Sequence, residues 1–180
     1  MELKIITPSS ADAEAMDVLN RQAFPDNERL DTDDLFLYAK EGELEILGIY
    51  TEEGFSGFLI MRPFEKIAYI AYFAVCPEKR CKGIGGKALA ALREYYPERQ
   101  IVVDFEALDA DSPNNPQRIR RREFYYRNGF YPTGWYQFYM ETEFEIACSG
   151  PVFDKESFDA LLAAIHKAAP EFDPHPYRKD

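Results

Sequence analysis

Apolar positions along the chain follow two rhythms, and each change of rhythm predicts a change of element. Leu3 to Thr7 reads as a short strand, after which Pro8-Ser9-Ser10 supplies a turn and a cap for a helix from about Asp12 to Phe24. Pro25-Asp26-Asn27 ends that helix. A shorter helical stretch, Thr32 to Lys40, carries Asp33 and Asp34 near its positive N-terminus, and Glu41-Gly42-Glu43 breaks it. Three strand-like segments follow, Leu44 to Tyr50, Phe55 to Met61 and Ile67 to Val75. Their short spacers, Glu52-Glu53-Gly54 and Arg62-Pro63-Phe64, predict an antiparallel meander.

From Gly83 to Tyr96 the period is helical, with Ile84, Ala88, Leu89, Leu92 and Tyr96 on one stripe and Pro97 as the stop. Ile101 to Ala107 is the next strand. Its alternation sets Val102, Asp104 and Glu106 on one face and Ile101, Val103 and Phe105 on the other. Beyond the polar loop Asp109 to Asn115, Pro116 to Asn128 reads as a helix that opens on proline and closes on Asn128-Gly129. Phe130 to Tyr139 and Glu141 to Cys148 are aromatic and β-branched enough for two antiparallel strands, and Asp154 to Ala169 is an amphipathic helix. The tail from Pro170 to Asp180 reads equally as an ordered arm or a frayed end. The element order is that of an α/β (α+β) fold in a single domain, residues 1–180, with 170–180 as its C-terminal tail.

Length and composition agree with one globular domain: 180 residues, 46% hydrophobic and 15% aromatic. Charge narrows the partners. With 21 Lys plus Arg against 32 Asp plus Glu, the net charge of -11 opposes binding to nucleic-acid backbones or anionic membranes and favours a neutral or cationic partner. The start lacks the apolar core of a signal peptide, and no run approaches the ~18 apolar residues of a membrane helix, so a cytoplasmic location is expected. Three cysteines, at 76, 81 and 148, form no C-x-x-C pair, and the two histidines, His166 and His175, lie far down the chain. Neither a disulfide framework nor a metal site is expected.

The strongest local feature is Arg80-Cys81-Lys82-Gly83-Ile84-Gly85-Gly86-Lys87, between a strand and a helix. Glycines let backbone N–H groups approach an anion, a helix start adds partial positive charge, and Arg80, Lys82 and Lys87 reverse the sign of an acidic chain locally. A pyrophosphate suits such a place; an ordinary glycine-rich turn with surface lysines is the bland alternative. Gly83 to Ala88 also satisfies G-x-G-x-x-A, with Asp104 about 20 residues on, the pattern of a dinucleotide-binding oxidoreductase. Against that, Cys76 to Lys82 separate the first glycine from its strand, and a meander precedes instead of βαβ units. The P-loop pattern fails, because Ala88 follows Lys87 and position 81 is Cys.

Taken with its flanks, Arg80-Cys81-Lys82-Gly83-Ile84-Gly85 resembles [QR]-x-x-G-x-[GA], the cofactor signature of the GNAT superfamily of acyl-CoA-dependent N-acetyltransferases. Phe124-Tyr125-Tyr126-Arg127-Asn128-Gly129-Phe130 is similar to that family's F-Y-x-x-x-G-F helix end. The resemblance implies a mixed, mostly antiparallel central sheet flanked by helices and splayed between the fourth and fifth strands. It implies acetyl-CoA as acyl donor, with no metal. Phe73, Ala74 and Val75 would bind pantetheine through backbone groups, while Arg80, Cys81, Lys82, Gly83, Ile84, Gly85, Gly86 and Lys87 hold the pyrophosphate. Two departures stand out: Arg118 and Arg121 occupy positions where many members carry Asn and Ala, and no carboxylate lies between Ile67 and Val75.

Amine acylation needs a neutral amine, stabilisation of an oxyanion and a proton for the departing thiolate. The resemblance makes Tyr125 the acid, with Tyr126 one position away and an aromatic core as the alternative role. Glu106, beside Asp104 on one strand face, is the candidate base, since paired carboxylates raise one another's proton affinity; exposed carboxylates that merely attract an amine are the alternative. A backbone N–H near Val75 is the expected oxyanion donor. Arg118, Arg120, Arg121, Arg122 and Arg127 read as a solvated face. Trp135, Tyr131, Tyr136, Phe138 and Tyr139 line either an acceptor pocket or a core, and Phe36 and Tyr38 are weaker acceptor candidates. Cys81, between Arg80 and Lys82 at a helix start, is expected to be the most reactive thiol. The leading function is an N-acetyltransferase acting on a primary amine of a small molecule or peptide; a non-catalytic acyl-CoA-binding sensor is the second. A homodimer is left open.

Overall fold

The computed structural model describes residues 1–26, 28–170 and 172–179. Asn27, in the expected helix stop, and Glu171 and Asp180, in the tail, lie outside the described residues. Strands and helices alternate as β1 (Glu2–Ile5), α1 (Ala13–Ala23), α2 (Thr32–Lys40), β2 (Glu45–Thr51), β3 (Gly54–Phe64), β4 (Ile67–Val75) and α3 (Ile84–Tyr95). They continue as β5 (Gln100–Glu106), α4 (Asn115–Arg127), β6 (Phe130–Tyr139), β7 (Thr142–Ser149), α5 (Lys155–Ala168) and β8 (Tyr177–Arg178). This is the expected mixed α/β fold with mostly antiparallel pairing. No helix among the described residues is long and apolar enough to cross a membrane.

Backbone contacts divide the chain into two compact units, Met1–Pro63 with Tyr69–Pro97, and Phe64–Ala68 with Glu98–Asp180. In the first, strands lie in the order β1-β2-β3-β4. The β1–β2 and β2–β3 pairs are antiparallel, with a bulge in the second between Ile49 and Tyr50. Its core joins Ile6, Met16, Leu19, Leu35, Ile46, Phe58 and Ile60, drawn from both early helices and the meander. The α3 stripe is buried as the 3.6-residue period requires, including Ile84, Ala88, Leu89, Leu92 and the following Tyr96.

Two local expectations change. Ser9 and Ser10 close a turn instead of capping α1: the Ser10 hydroxyl accepts from Thr7 N–H at 2.9 Å. Asp12 occupies the N-cap, but its carboxylate accepts from Tyr50 OH at 2.9 Å and makes no side-chain cap. Burial and that bond push the Tyr50 phenol up to about 12. Arg62-Pro63-Phe64 is not a spacer either. β3 runs through it, because Pro63 tolerates an extended backbone and Arg62 pairs with Glu43; the turn falls at Glu65, whose φ is 45°.

In the second unit the order is β5-β7-β6-β8. β5 and β7 pair antiparallel from Val102↔Cys148 to Glu106↔Phe144, which fixes which β7 residue shares a face with each β5 carboxylate. The tail is an ordered arm: Tyr177 pairs with Tyr136 and Arg178 with Trp135. α5 buries Phe158, Leu161, Leu162 and Ile165 at helical spacing, each worth about 1.5–3 kcal/mol relative to exposure. Its start is tied twice. Asp154 N–H donates to Gln100 Oε1 at 3.0 Å, and the Asp154 carboxylate accepts from Ser157 N–H at 3.1 Å and Ser157 Oγ at 2.8 Å.

Those bonds from Ser157 hold the Asp154 carboxyl below its ordinary value. A folded-state pKa depressed this way adds stability above the unfolded value of about 3.9, and that stability is lost as pH falls through the folded pKa. Asp154→Ala should therefore lower unfolding stability by about 1 kcal/mol at neutral pH, with the gap between wild type and variant closing on acidification. Denaturant titrations at pH 7 and pH 3 check both parts.

Candidate active site

The end of β4 is built by a close approach of backbones. A Cβ placed on Gly57 of β3 would lie 2.3 Å from the Ala74 carbonyl oxygen and 3.0 Å from Val75 Cα, so only glycine fits there. Cys76 N–H donates to the Ser56 carbonyl at 3.0 Å, and a single 3₁₀ turn, Pro77–Lys79, follows. Lys79 Nζ locks that turn to the β2–β3 hairpin, donating to the carbonyls of Glu53 and Phe55 at 3.0 and 2.9 Å. Arg80 Nε then donates to the Val75 carbonyl at 3.0 Å, folding the loop back over the strand end.

The chain next enters α3 through two left-handed residues, Cys81 at φ 62° and Gly83 at φ 75°. A left-handed L-residue costs roughly 1–2 kcal/mol, so the Cys81 conformation is held by its surroundings, whereas Gly83 meets no such penalty. Gly83 is the helix N-cap, no side chain caps the first turn, and that turn holds no acidic residue. A Cβ at Gly83 would have no atom within 4 Å, so the space before the helix is open. Arg80, Cys81, Lys82 and Lys87 are exposed around it, Gly85 and Gly86 are half-buried, and Ile84 anchors the turn in the core. Lys82 stands 4.0 Å from Glu53, an exposed pair of little energetic consequence. Uncapped N–H groups, the helix dipole and three cations together make a cradle for an anion. Phe73, Ala74 and Val75 end β4 one 3₁₀ turn before it, with Ala74 buried and its neighbours half-buried.

In the second unit, α4 lies against β5. Tyr125 is buried, its ring stacked on Phe105 at 5.3 Å with planes 4° apart and set edge-on to Phe130 at 5.3 Å. Burial pushes its phenol above the ordinary tyrosine value; Arg121 opposes and Asp104 adds to that rise. Tyr126 is different. Its hydroxyl donates to Glu145 Oε1 and accepts from Arg122 Nε at 3.4 Å, and burial with the Glu145 bond pushes it up to about 12. The two tyrosines thus have separate environments: one stacked in an aromatic layer, the other bound into an ion pair.

Glu106 does not stand open. Arg118 and Arg121 contact its two oxygens at 3.0 and 2.9 Å, and Asn114 Nδ2 donates at 3.0 Å. Asp104, on the same strand face, accepts from Gln137 Nε2 and Tyr139 OH, both at 2.7 Å. The arginines of α4 are accordingly not one solvated face: Arg118 and Arg121 are taken by Glu106 and Arg122 by Glu145, while Arg127 lies over the Phe124 ring at 5.5 Å. Glu145 and Gln137, both buried, were not found in the sequence. Each looks like an ordinary polar position in an alternating strand, and only the β5–β7–β6 register sets them against their partners.

Strand and helix order, the glycine turn after β4 and the aromatic helix end at Phe124–Phe130 are those of a GNAT-type fold. The chain belongs to the Acetyltransferase (GNAT) family, whose description matches residues 13–130. Among curated proteins it is 28% identical over 81 residues to "Putative acetyltransferase YjbC" of Bacillus subtilis (strain 168). That match covers 45% of this chain and 40% of the relative, so it spans about two fifths of the relative's length. Among solved structures, a "Putative acetyltransferase from GNAT family" of Bacteroides thetaiotaomicron superposes with a TM-score of 0.76 at 23% identity, covering 95% of this chain and 99% of the other. An aminoglycoside 6'-N-acetyltransferase complexed with coenzyme A gives a TM-score of 0.63 at 13% identity, over 86% of this chain and 100% of that one.

Cys81 is exposed, whereas Cys76 and Cys148 are buried. Burial pushes the Cys76 thiol up and the Cys148 thiol up to about 11. Iodoacetamide at pH 8 should therefore modify one cysteine quickly, identified as Cys81 by peptide mapping. Cys148 should react on the order of a hundredfold more slowly until the protein is denatured, from its smaller thiolate fraction alone.

Proposed function

We propose that this chain is an N-acetyltransferase that moves an acetyl group from acetyl-CoA directly to a primary amine of a small molecule or peptide. The observation that carries the reading is the β4–α3 cradle: an open, uncapped helix start reached through left-handed Cys81 and Gly83 and ringed by Arg80, Lys82 and Lys87. Its residues suit a pyrophosphate, and in this reading backbone groups of Phe73, Ala74 and Val75 hold the pantetheine arm in the manner of an added strand. When bound, the coenzyme supplies the thioester that the amine attacks.

The chain's own residues then have four tasks. Val75 and its neighbours hold the thioester carbonyl against a backbone N–H. Tyr125 keeps its proton at neutral pH because its burial disfavours the phenolate, and it gives that proton to a sulfur only as negative charge builds there. Glu106 takes the amine proton, directly or through water, after Arg121 moves off; Arg121 is the more exposed of its two arginines, 47% against 12% for Arg118. Asp104, held by Gln137 and Tyr139, draws the cationic amine toward that face. The acidic chain, at net charge -11, favours such an acceptor.

A second reading has its own support. Glu106 is fully engaged by arginines and asparagine, and β4 carries no carboxylate, which together suit an acyl-CoA-binding protein without turnover. Thiol release from acetyl-CoA across a panel of amines separates the two: turnover on any amine supports the enzyme, and tight binding with none supports the sensor.

Gly83→Glu should abolish coenzyme A binding, since a carboxylate would enter the cradle and repel the pyrophosphate. Calorimetry on the folded variant checks this, and an unchanged affinity would remove the cradle from the reading. Tyr125→Phe should lower kcat by about 10²-fold while leaving coenzyme affinity within about twofold, because only the delivered proton is lost. Tyr126→Phe should instead lower stability by about 1–3 kcal/mol through the loss of a donor to buried Glu145. Steady-state kinetics and thermal melts on both variants show whether the two tyrosines divide in this way.

A further inference from the structure

β6 is ten residues long, and among the described residues its outer edge is paired only at Trp135 and Tyr136, by the two residues of β8. The arm that fills this edge is cationic and is gripped through alternate side chains. On one face Tyr177 OH donates to Glu143 Oε1, Lys179 Nζ pairs with Glu143 Oε2, and that ammonium also lies over the Tyr136 ring at 4.5 Å. On the other, the Arg178 guanidinium lies over the Trp135 ring at 5.1 Å, on an indole that Lys155 also meets at 4.3 Å. Burial alone would raise the Glu143 carboxyl, yet the bonds from Lys179 and Tyr177 and the charge of Lys179 bring it below its ordinary value.

Main-chain pairing at a sheet edge, with pockets for alternate side chains, is how an extended peptide is recognised by strand addition. The chain's own arm is a poor occupant. Continuing its register sets Pro176 opposite Gln137 and Pro174 opposite Tyr139, and prolines cannot donate to a ladder, so pairing stops after two residues. Beyond that point β6 offers exposed Phe138, an apolar side chain on an edge that β8 does not cover among the described residues.

We infer that the outer edge of β6 is a docking strand for an extended peptide bearing adjacent arginine and lysine, and that Tyr177-Arg178-Lys179 holds the place until such a partner displaces it. Glu143 and the Tyr136 ring select the lysine, Trp135 selects the arginine, and a partner without prolines before its cationic pair gains the ladder that the tail forgoes. This inference stands whether or not the protein transfers acyl groups.

Trp135 is the only tryptophan in the chain, so its fluorescence reports on the site directly. The probe is the blocked peptide Thr-Val-Thr-Tyr-Arg-Lys-Gly, titrated into the 180-residue chain and into a variant of it with Arg178→Glu and Lys179→Glu. A saturable change is expected for both, with affinity about tenfold or more tighter for the variant because it lacks its tethered competitor. Adding Glu143→Gln to the variant should remove binding, and a peptide with glutamates at both cationic positions should not bind. If the charge-reversed protein does not fold, Arg178→Ala with Lys179→Ala takes its place. No saturable change in the opened protein, equal binding of the acidic peptide, or equal affinity for wild type and variant would overturn the inference. So would a wild-type dimer that the peptide disperses into monomers on gel filtration, since the edge would then belong to a second copy's tail.

Discussion

The path of the backbone out of β4 is the constraint on which the anion cradle depends. An extended strand must turn into a helix within a few residues, and the helix start must stay uncapped and open. Gly57 meets the first demand by letting β3 and β4 come within a distance no side chain allows. Left-handed Cys81 and Gly83 meet the second, with Ile84 buried as the anchor that fixes where α3 begins. Arg80, bound to the Val75 carbonyl, and Lys79, bound to the Glu53 and Phe55 carbonyls, are then structural as much as electrostatic: they satisfy carbonyls at the end of the meander.

The four carboxylates of β5 and β7 are governed by a different rule. Each is half-buried or buried, and each is given partners that suit its depth. Glu145, the most enclosed, receives Arg122 and Tyr126; Glu106 receives two arginines and an asparagine; Asp104 receives an amide and a phenol; Glu143 is met by the tail. A buried carboxylate stripped of its cation costs several kcal/mol, so these pairs hold α4 and the C-terminal arm in place. Coupling between them follows from geometry: Tyr139, which donates to Asp104, is also the ring that Phe172 of the tail meets edge-on at 5.1 Å.

Legibility tracked how local the cause was. The stripe of α3 was readable because one face must be apolar at a fixed period, and burial agrees there; β4 was readable as an apolar run and the end of α4 from its aromatic motif. Pro8-Ser9-Ser10 was misread as a cap because its hydroxyls satisfy their own turn, and Arg62-Pro63-Phe64 as a spacer because Pro63 is usually a breaker. The arginine run on α4 looked solvated because its partners, Glu106 and Glu145, come from strands that only the sheet register brings opposite.

By itself the sequence determined the order of elements, the glycine and cation content of the phosphate loop and the family to which those motifs belong, since each rests on residues close together in the chain. Tertiary structure decided what the titratable groups do. It put Tyr125 in an aromatic stack and Tyr126 on Glu145, closed Glu106 behind two arginines and laid Tyr177 and Arg178 along β6. The physical reason is common to all four: a side chain's charge state and partners are set by desolvation and by neighbours distant in sequence, and neither exists until the strands have found their register.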